Sequence, residues 1–372
     1  MKAVLATLTT KGYRYLAKPL LFRLTPDRAH HHMVASGRQV QKIAPLRALM
    51  TASWAYHDPR LSQNVLGLHF ANPLGLSAGL DKNFELVRLM HAVGFGFMEG
   101  GSITYEVCRG NPKPWFYRLP ADHSLVVNAG LANHGARRVI ARLQSQHLPA
   151  DFPLNISVAK TNSPEACTTE TAVADYIGSL KLIQESGVGQ LVTLNISCPN
   201  TYGGQPFTTP ELLEALLAAT DELKLQLPLC IKMPNHLDWP KFRALAEVAA
   251  KHEVAALTIA NLAYRNQVKL KSHLPEHVKG KLSGRPTFER SNRLIAQTRR
   301  HFEDRFVIIG VGGVFSAADA YQKIKLGANL VEMITGLIYQ GPQVVGQINN
   351  GLVKLLDQDG YGTIGEAVGS EL

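Results

Sequence analysis

The chain has few cysteines and no long apolar runs. Its 372 residues include only four cysteines, Cys108, Cys167, Cys198 and Cys230, and none of them forms a Cys-x-x-Cys pair. This spacing argues against a structural zinc site and a disulfide framework, and it favours a reducing compartment. No apolar run reaches the roughly 20 residues that a membrane-spanning helix needs. No Gly-x-Gly-x-x-Gly follows the first predicted strand, which argues against a doubly wound dinucleotide-binding sheet.

Acidic residues are scarce in the first 50 positions. This segment has nine Lys or Arg and a single acid, Asp27, so it carries +8 of the chain's net charge of +10. Apolar residues such as Leu16, Leu20 and Phe22 alternate with the basic ones. A basic amphipathic segment is typical of a helix that lies on an anionic membrane surface, and it fits that surface better than a nucleic acid. We therefore predict a helical extension over 1–50, with a solvated helix packed on the protein body as the alternative.

From residue 60 onward, β-rich runs alternate with helical patterns. Because these runs are almost continuously apolar, they indicate parallel strands covered on both faces. Eight such units predict an α/β fold, a (β/α)₈ TIM barrel over 51–372 that follows the N-terminal helical extension. The predicted strands are Pro73–Gly79, Gly94–Gly100, Leu154–Ala159, Gln190–Ile196, Leu229–Met233, Ala255–Ala260, Phe306–Val311 and Asn329–Thr335. The helices are predicted near 81–93, 134–145, 171–186, 210–227, 240–252, 288–302, 316–326 and 342–356. Two long loops remain, 101–133 and 261–287, and loops of this length are usually functional or mobile.

Glycines follow the last two predicted strands. The first group is Gly310-Val311-Gly312-Gly313, and the second is Thr335-Gly336. Successive glycines expose backbone N–H groups that can cradle a phosphate, and the loops after strands seven and eight are the frequent phosphate site of barrels. The pair predicts a ligand that carries a phosphate.

Chemically reactive side chains stand at other strand ends. Lys232 ends the fifth predicted strand, where a buried ammonium is costly unless it meets an anion. Cys198 follows the fourth strand between the carboxamides of Asn195 and Asn200, which can bind a polar heterocycle while the thiol moves a proton. Lys82 lies in a short Gly79-Leu80-Asp81-Lys82-Asn83 turn after the first strand, where small residues allow close approach to a flat ring.

Taken together, Asn195-Ile196-Ser197-Cys198-Pro199-Asn200 and the other motifs resemble those of the dihydroorotate dehydrogenases, flavin enzymes of pyrimidine synthesis. The resemblance covers nearly the whole chain. It implies that FMN is the cofactor and that Cys198 removes a proton from dihydroorotate, which becomes orotate. It implies substrate binding by Lys82, Asn128, Asn195, Asn200 and Asn261. It implies cofactor binding by Ala78, Gly79, Lys82, Ser102, Asn155, Asn195, Lys232, Gly284, Gly313, Thr335 and Gly336. No metal and no nucleic acid are expected.

The extension is similar to that of the quinone-linked, membrane-associated class of this family. The segment Leu24-Thr25-Pro26-Asp27-Arg28-Ala29-His30 carries this likeness. By the same resemblance, His30 and Arg118 are expected to line the access route of a membrane quinone. The chain is then expected to bind the cytoplasmic face of the inner membrane as a peripheral protein.

The chain departs from the family pattern at several positions. Cys198 stands where the quinone-linked class normally has serine, Leu262 replaces a threonine, and Ile334 replaces a tyrosine near the quinone route. The loop 128–133 is one residue shorter than expected. These departures leave two alternatives open: an FMN-dependent oxidoreductase of the same fold with another cyclic substrate, and a non-catalytic barrel that binds a phosphorylated ligand at a membrane surface.

Overall fold

The computed structural model describes residues 9–198 and 207–372. Its strands are β1 (Gln63–Val65), β2 (Leu68–Phe70), β3 (Leu74–Leu76), β4 (Phe97–Ile103), β5 (Phe116–Leu119), β6 (Ser124–Val127), β7 (Leu154–Val158), β8 (Leu191–Leu194), β9 (Leu229–Lys232), β10 (Val254–Ile259), β11 (Lys281–Gly284), β12 (Val307–Val311) and β13 (Leu330–Met333). Eight of these, β3, β4, β7, β8, β9, β10, β12 and β13, close into a parallel barrel. Each of them overlaps one of the eight predicted runs, which confirms the predicted (β/α)₈ architecture.

Helices follow the barrel strands and cover the outside of the barrel. They are α4 (Val87–Val93), α5 (Ala136–Gln144), α6 (Thr169–Ser186), α7 (Pro210–Glu222), α8 (Trp239–Ala250), α9 (Phe288–Phe302), α10 (Ala317–Lys325), α11 (Thr335–Gln340) and α12 (Val344–Asp359); α1–α3 are N-terminal and are described below. The first barrel helix begins at Val87, six residues later than the predicted start at 81. The buried carboxylate of Asp81 accepts hydrogen bonds from the N–H groups of Asn83, Glu85 and Leu86, and these bonds hold the segment in a turn.

The two ends of the barrel interior differ in polarity. At the amino end of the strands, Phe70 and Phe97 meet edge to face at 5.4 Å, and they pack with Leu191, Ile309 and Leu330. The β1–β2 hairpin contributes Phe70 and closes this end. Polar side chains occupy the interior nearer the carboxyl ends of the strands. This is the end where barrel enzymes build their sites.

Three helices precede the barrel: α1 (Lys18–Arg23), α2 (Pro26–Val40) and α3 (Ala44–Trp54). A wider π-helical turn, Tyr13–Ala17, leads into α1. Proline occupies the first turn of all three helices, where its missing N–H costs nothing. The extension is therefore largely helical from residue 9 onward, and its last helix continues past residue 50 to Trp54.

The two predicted long loops contain strands that the sequence pattern does not indicate. Strands β5 and β6 lie within 101–133, and β11 lies within 261–287. They form an antiparallel sheet in which β6 is central. Strands β5 and β6 are neighbours in sequence, but β6 and β11 are more than 150 residues apart, as Leu125 opposite Ser283 illustrates. A local sequence pattern carries no information about such a pairing.

Candidate active site

Two adjacent cavities lie at the carboxyl end of the barrel. The larger has a volume of about 410 Å³ and extends from the barrel mouth to the N-terminal helices. The smaller, of about 80 Å³, lies over the ends of β12 and β13. Both share a set of lining residues at their junction: Ala78, Lys232, Asn261, Leu262, Ser283, Ile334 and Thr335.

Glycines line the smaller cavity where the sequence predicts a phosphate. Gly312 and Gly313 have φ values of 111° and 74°, which side-chain-bearing residues rarely adopt. A Cβ on Gly313 would lie 2.5 Å from Cβ of Phe288, and one on Gly336 would lie 2.1 Å from the carbonyl oxygen of Val314. The surrounding protein leaves no space for a side chain at Gly313 and Gly336, so backbone borders the cavity there. Gly284 and Thr335 complete the lining.

Lys232 lies at the junction of the two cavities and is paired with buried acids. Its Nζ is 2.7 Å from Oε2 of Glu99 and 3.9 Å from Oε2 of Glu332, and it donates a hydrogen bond to Ser77 Oγ at 3.3 Å. Burial opposes the charge of Lys232, but the two acids outweigh burial and raise its pKa. Lys232 therefore stays cationic at the cavity edge.

Hydrogen-bonded carboxamides and hydroxyls line one part of the larger cavity. Asn195 Nδ2 donates to Ser102 Oγ at 2.8 Å, and Ser102 Oγ is 2.8 Å from Ser157 Oγ. Asn261 Nδ2 lies 3.0 Å from Asn195 Oδ1 and 3.0 Å from Ser197 Oγ. These bonds fix both carboxamides, and Ser102, Asn195 and Asn261 line the cavity. A pre-oriented set of amides can select a ligand with complementary donors and acceptors.

Cys198 lines the same cavity and is half-buried. Lys160, which is 4% exposed, interacts electrostatically with this thiol. A neighbouring cation favours the thiolate form of a cysteine. Asn200, the second predicted carboxamide beside Cys198, lies outside the described residues.

Lys82 lies where the cavity meets the N-terminal helices. Its Nζ donates to the carbonyl oxygen of Gly79 at 2.8 Å and lies 5.2 Å from the centre of the Phe116 ring. Burial lowers the pKa of Lys82 to about 8, although Asp81 and Asp27 favour its charged form. Ala78 and Gly79 line the cavity beside Lys82.

Two predicted site residues do not line either cavity. Asn128 stands between lining residues, but its Oδ1 accepts a hydrogen bond from Asn111 Nδ2 at 3.0 Å. Asn155 is fully buried in the barrel interior, where its Oδ1 accepts from Thr193 Oγ1 at 3.0 Å. The structure therefore brings the other described candidates of the barrel together and leaves these two beside the site.

The larger cavity continues between the N-terminal helices as an apolar channel. His30 and Arg118 both line it, together with Leu21, Phe22, Met33, Val34, Met50 and Trp54. Burial, assisted by Lys82 and His31, lowers the pKa of His30 to about 3, so this imidazole stays neutral. Met33 is 49% exposed and also lines the cavity, so the channel reaches the surface at α2.

Sequence reasoning missed several residues of the site. Glu99 and Glu332 were not singled out, because each lies inside an apolar strand pattern whose inward face the sequence does not reveal. Asn111 and Asn162 were also missed. Asn162 Nδ2 donates to Gly130 O at 3.0 Å, and these two asparagines support the loop that carries Asn128. Their only signal in the sequence is an unusual density of asparagine in the predicted loops.

Among residues 9–198 and 207–372, no helix combines the length and the hydrophobicity of a membrane-spanning segment. No group of three or more His, Cys, Asp or Glu side chains in these residues is arranged to hold a metal ion.

Comparisons with known proteins agree with the fold and with the cavity. A profile of the family described as dihydroorotate dehydrogenase matches residues 60–356. The chain is 37% identical to the dihydroorotate dehydrogenase (quinone) of Acidithiobacillus ferrooxidans over 366 residues, which cover 95% of this chain and 98% of the relative. It is 36% identical to that of Methylococcus capsulatus over 352 residues, or 92% of this chain and 99% of the relative.

Solved structures give the same result. The ligand-free DHODH of Eimeria tenella superposes with a TM-score of 0.80 and 28% identity, over 92% of this chain and 98% of that one. A complex of DHODH from the same organism with ferulenol superposes with a TM-score of 0.76 and 27% identity, over 93% and 96% of the two chains. With a family profile over most of its length and full-length relatives named as quinone enzymes, the chain belongs to the dihydroorotate dehydrogenase family, in its quinone-linked class.

Proposed function

We propose that this chain oxidises dihydroorotate to orotate with bound FMN and passes the electrons to a membrane quinone. One observation carries the proposal. A single cavity joins the amide and thiol cluster at the barrel mouth to an apolar channel between the N-terminal helices. A polar substrate and an apolar acceptor can therefore reach opposite parts of one site.

The residues of the smaller cavity suit the phosphate of FMN. Gly312, Gly313 and Gly336 border this cavity without side chains, and Thr335 adds a hydroxyl. Ser283 Oγ lies 2.9 Å from Thr335 Oγ1 and orients it. At the junction of the cavities, Ala78, Gly79 and Lys232 would lie against the flavin ring. When bound, the flavin supplies the acceptor for the hydride that leaves C6 of the substrate and the donor for the quinone.

The hydrogen-bonded carboxamides suit a pyrimidine ring. Asn195 and Asn261 are the carboxamides that line the cavity, and Lys82 supplies a cation for the substrate's carboxylate. Asn128 and Asn200 remain predicted partners of the ring. Cys198 is proposed to take the C5 proton as the C6 hydride departs, and the neighbouring Lys160 favours its thiolate.

The N-terminal helices suit a membrane surface. Tyr15, Leu16 and Leu20 are 61–68% exposed, and Leu49 is 60% exposed, on a segment with a strong excess of basic residues. Exposed apolar side chains among basic ones favour an anionic lipid interface. We propose that these helices rest on the cytoplasmic face of the inner membrane and that quinone enters through the channel lined by His30 and Arg118.

Membrane binding is tested by co-sedimentation with vesicles that contain anionic lipids. Leu16→Glu and Leu20→Glu together should abolish sedimentation, because they place charge on the inserted face. Val107→Glu is the matched control, since Val107 is 64% exposed but lies outside the N-terminal helices. Equal loss in the control, or no loss in the double variant, would overturn the proposed membrane face.

The activity is tested by anaerobic mixing of the purified holoenzyme with L-dihydroorotate while the flavin absorbance is followed. The wild-type flavin should bleach and then recover on addition of a quinone. Cys198→Ala should bleach at least roughly a hundredfold more slowly, the size typical of a lost general base. A flavin that dithionite bleaches but dihydroorotate does not would favour the alternative of another cyclic substrate. A protein that retains no FMN would exclude both FMN-dependent activities, the oxidation of dihydroorotate and that of another cyclic substrate.

A further inference from the structure

Three ionisable side chains form a cluster inside the barrel, beneath the junction of the two cavities. Glu99 projects from β4, Lys232 from the end of β9 and Glu332 from β13, and both glutamates are fully buried. Lys232 Nζ is 2.7 Å from Glu99 but 3.9 Å from Glu332. The lysine is therefore hydrogen-bonded to one acid and only near the other.

The charges of this cluster do not balance if both acids are ionised. One ammonium and two carboxylates would leave a net negative charge away from water, which is costly. Neither oxygen of Glu332, and not Oε1 of Glu99, accepts a well-formed hydrogen bond in the described part of the chain, although Ser77 is near enough to Glu332 to favour its ionised form. If Glu332 is a neutral carboxylic acid, the excess negative charge disappears. Its O–H group can also donate a hydrogen bond to Oε1 of Glu99, which otherwise lacks a donor.

The surroundings of Glu332 act on its pKa in two directions: burial and Glu99 raise the pKa, whereas Lys232 and Ser77 lower it by less. The pKa of Glu332 therefore lies well above its usual range. Burial works against ionisation of Glu99 as well, but Lys232 outweighs burial and lowers the pKa of Glu99. Cys230, which interacts with both acids from β9, is held neutral because burial raises its pKa. Ser77, from the segment after β3, is a neutral hydroxyl.

We infer that Glu332 and Glu99 share one proton, so that with Lys232 they form an electroneutral floor of the pocket in which Glu332 is the neutral hydrogen-bond donor. Glu332 lines the smaller cavity and Lys232 lines both cavities, so this floor meets a ligand that lies across their junction. In this arrangement Glu332 is a positioning residue. It keeps Glu99 directed at Lys232 and so keeps the lysine charge at the cavity edge. Only the consequence for flavin rests on the proposed function.

The proton assignment is tested by exchanging each acid for its neutral isostere. Glu332→Gln should keep the midpoint of urea unfolding near neutral pH, because glutamine also donates to Glu99. Glu99→Gln should lower that midpoint or the yield of folded protein, because Lys232 loses its ion pair. The opposite ranking, or equal loss in both variants, would overturn the inference.

A second measurement does not depend on the folding of Glu99→Gln. The infrared spectrum of the wild-type protein near neutral pH should contain a buried carboxylic-acid carbonyl band, and Glu332→Gln should lack it. A wild-type spectrum without the band, or a band that persists in Glu332→Gln, would overturn the assignment. Neither result depends on FMN, so the proposed function and this inference can fail separately.

The positioning role is tested on the holoenzyme by the rate of FMN loss and by the flavin midpoint potential. Glu332→Gln should leave both unchanged. Glu332→Leu should release FMN roughly tenfold faster, as expected when a buried charged group loses one hydrogen bond. It should also shift the potential, because the orientation of Glu99 and Lys232 is no longer held. Wild-type values in Glu332→Leu would refute the positioning role.

Discussion

At the scale of single residues, burial decides whether some ionisable side chains of the barrel are protonated. Lys323 on α10 is the clearest case, because it is fully buried and forms no ion pair with a described acid within 4.0 Å. Its Nζ donates to Ser291 Oγ at 3.0 Å and Asn292 Oδ1 at 2.8 Å. Burial lowers the pKa of Lys323 from 10.5 to about 7, against the opposing effect of Asp319 and Glu289.

The low pKa of Lys323 predicts how stability depends on pH. Between about 7 and 10.5 the unfolded chain binds a proton at this site and the folded protein does not. The free energy of unfolding should therefore rise with pH across that window, by at most roughly 5 kcal/mol at about 1.4 kcal/mol per pKa unit. Lys323→Met should remove this contribution to the slope, which urea unfolding at several pH values would measure.

Lys354→Met on α12 is the matched control, since Lys354 is an exposed helical lysine. It should retain the wild-type slope. If Lys323→Met also keeps that slope, Lys323 is charged in the folded protein and the assignment fails.

At the scale of elements, the N-terminal helices are held to the barrel by a few polar contacts. Arg118 on β5 donates to the carbonyl oxygens of Leu24 at 2.7 Å, Leu21 at 3.2 Å and Phe22 at 3.3 Å. Its guanidinium carbon also lies 4.4 Å from the centre of the Phe22 ring. In return, Asp27 on α2 accepts from the N–H groups that begin β5. The N-terminal helices are thus hydrogen-bonded to the edge strand β5 of the small antiparallel sheet.

Replacement of Arg118 should loosen this attachment without unfolding the barrel. Arg118→Ala removes several charged hydrogen bonds to the end of α1, and we expect a local loss of roughly 3 kcal/mol. Hydrogen exchange of residues 13–40 should accelerate while that of the barrel strands does not change. Arg118→Lys should rescue only partly, because an ammonium lacks the planar fork.

Arg137→Ala is the control for Arg118, since Arg137 is exposed and its recorded hydrogen bond is to Tyr105 Oη. Exchange in 13–40 should stay at the wild-type rate in this variant. If Arg118→Ala behaves in the same way, the extension is held mainly by its apolar contacts.

The neutral imidazole of His30 predicts acid sensitivity of α2. The folded protein binds a proton at His30 only near pH 3, whereas the unfolded chain binds one below about 6.5. The contribution of His30 to stability is therefore lost as pH falls from 6.5 toward 3. Hydrogen exchange in Pro26–Val40 should accelerate over that range, and His30→Phe should reduce the effect.

His32→Asn provides the control on the same helix, because His32 is exposed. This variant should keep the acid response of the wild-type protein. An unchanged acid response in His30→Phe would show that another group controls α2.

At the scale of the whole molecule, the extension and the barrel divide the proposed reaction between them. Residues at the barrel mouth surround the substrate end of the cavity, and the N-terminal helices surround its apolar end. Helix α3 packs against both α4 and α12, so it is part of the barrel's cover. A deletion that ends before Ala44 therefore keeps α3 in place, although it uncovers the side of the barrel on which Val34 and Gly37 pack.

Deletion of residues 1–43 should separate the two half-reactions. Reduction of the flavin by dihydroorotate should stay within about twofold of wild type, because its residues belong to the barrel. Reoxidation by a membrane quinone should slow by roughly tenfold or more, because the acceptor loses its oriented channel. Stopped-flow absorbance measures both rates, and ferricyanide, a soluble acceptor, is the control. Unchanged quinone turnover would mean that quinone does not enter through the channel lined by His30 and Arg118.

The sequence by itself determined the barrel and much of the candidate site. Each barrel strand is a local apolar run, so it can be recognised without knowledge of distant contacts. Gly312 and Gly313 come directly after such a run, and their positive φ values favour glycine at both positions. Cys198, Lys82, Lys232 and the paired glycines could be placed because the ends of parallel strands meet at one face of a barrel. The lining residues of the two cavities follow that expectation.

Only the tertiary structure decided which distant groups meet. Strand β11 pairs with β6, which is more than 150 residues away in sequence, so this pairing depends on closure of the barrel rather than on local preference. The contact of Glu99, Lys232 and Glu332 joins three strands, and which acid holds the proton follows from distances and burial that no sequence pattern contains. Asn128 and Asn155 stand beside the cavity for the same reason: their side-chain directions are set by partners elsewhere in the chain.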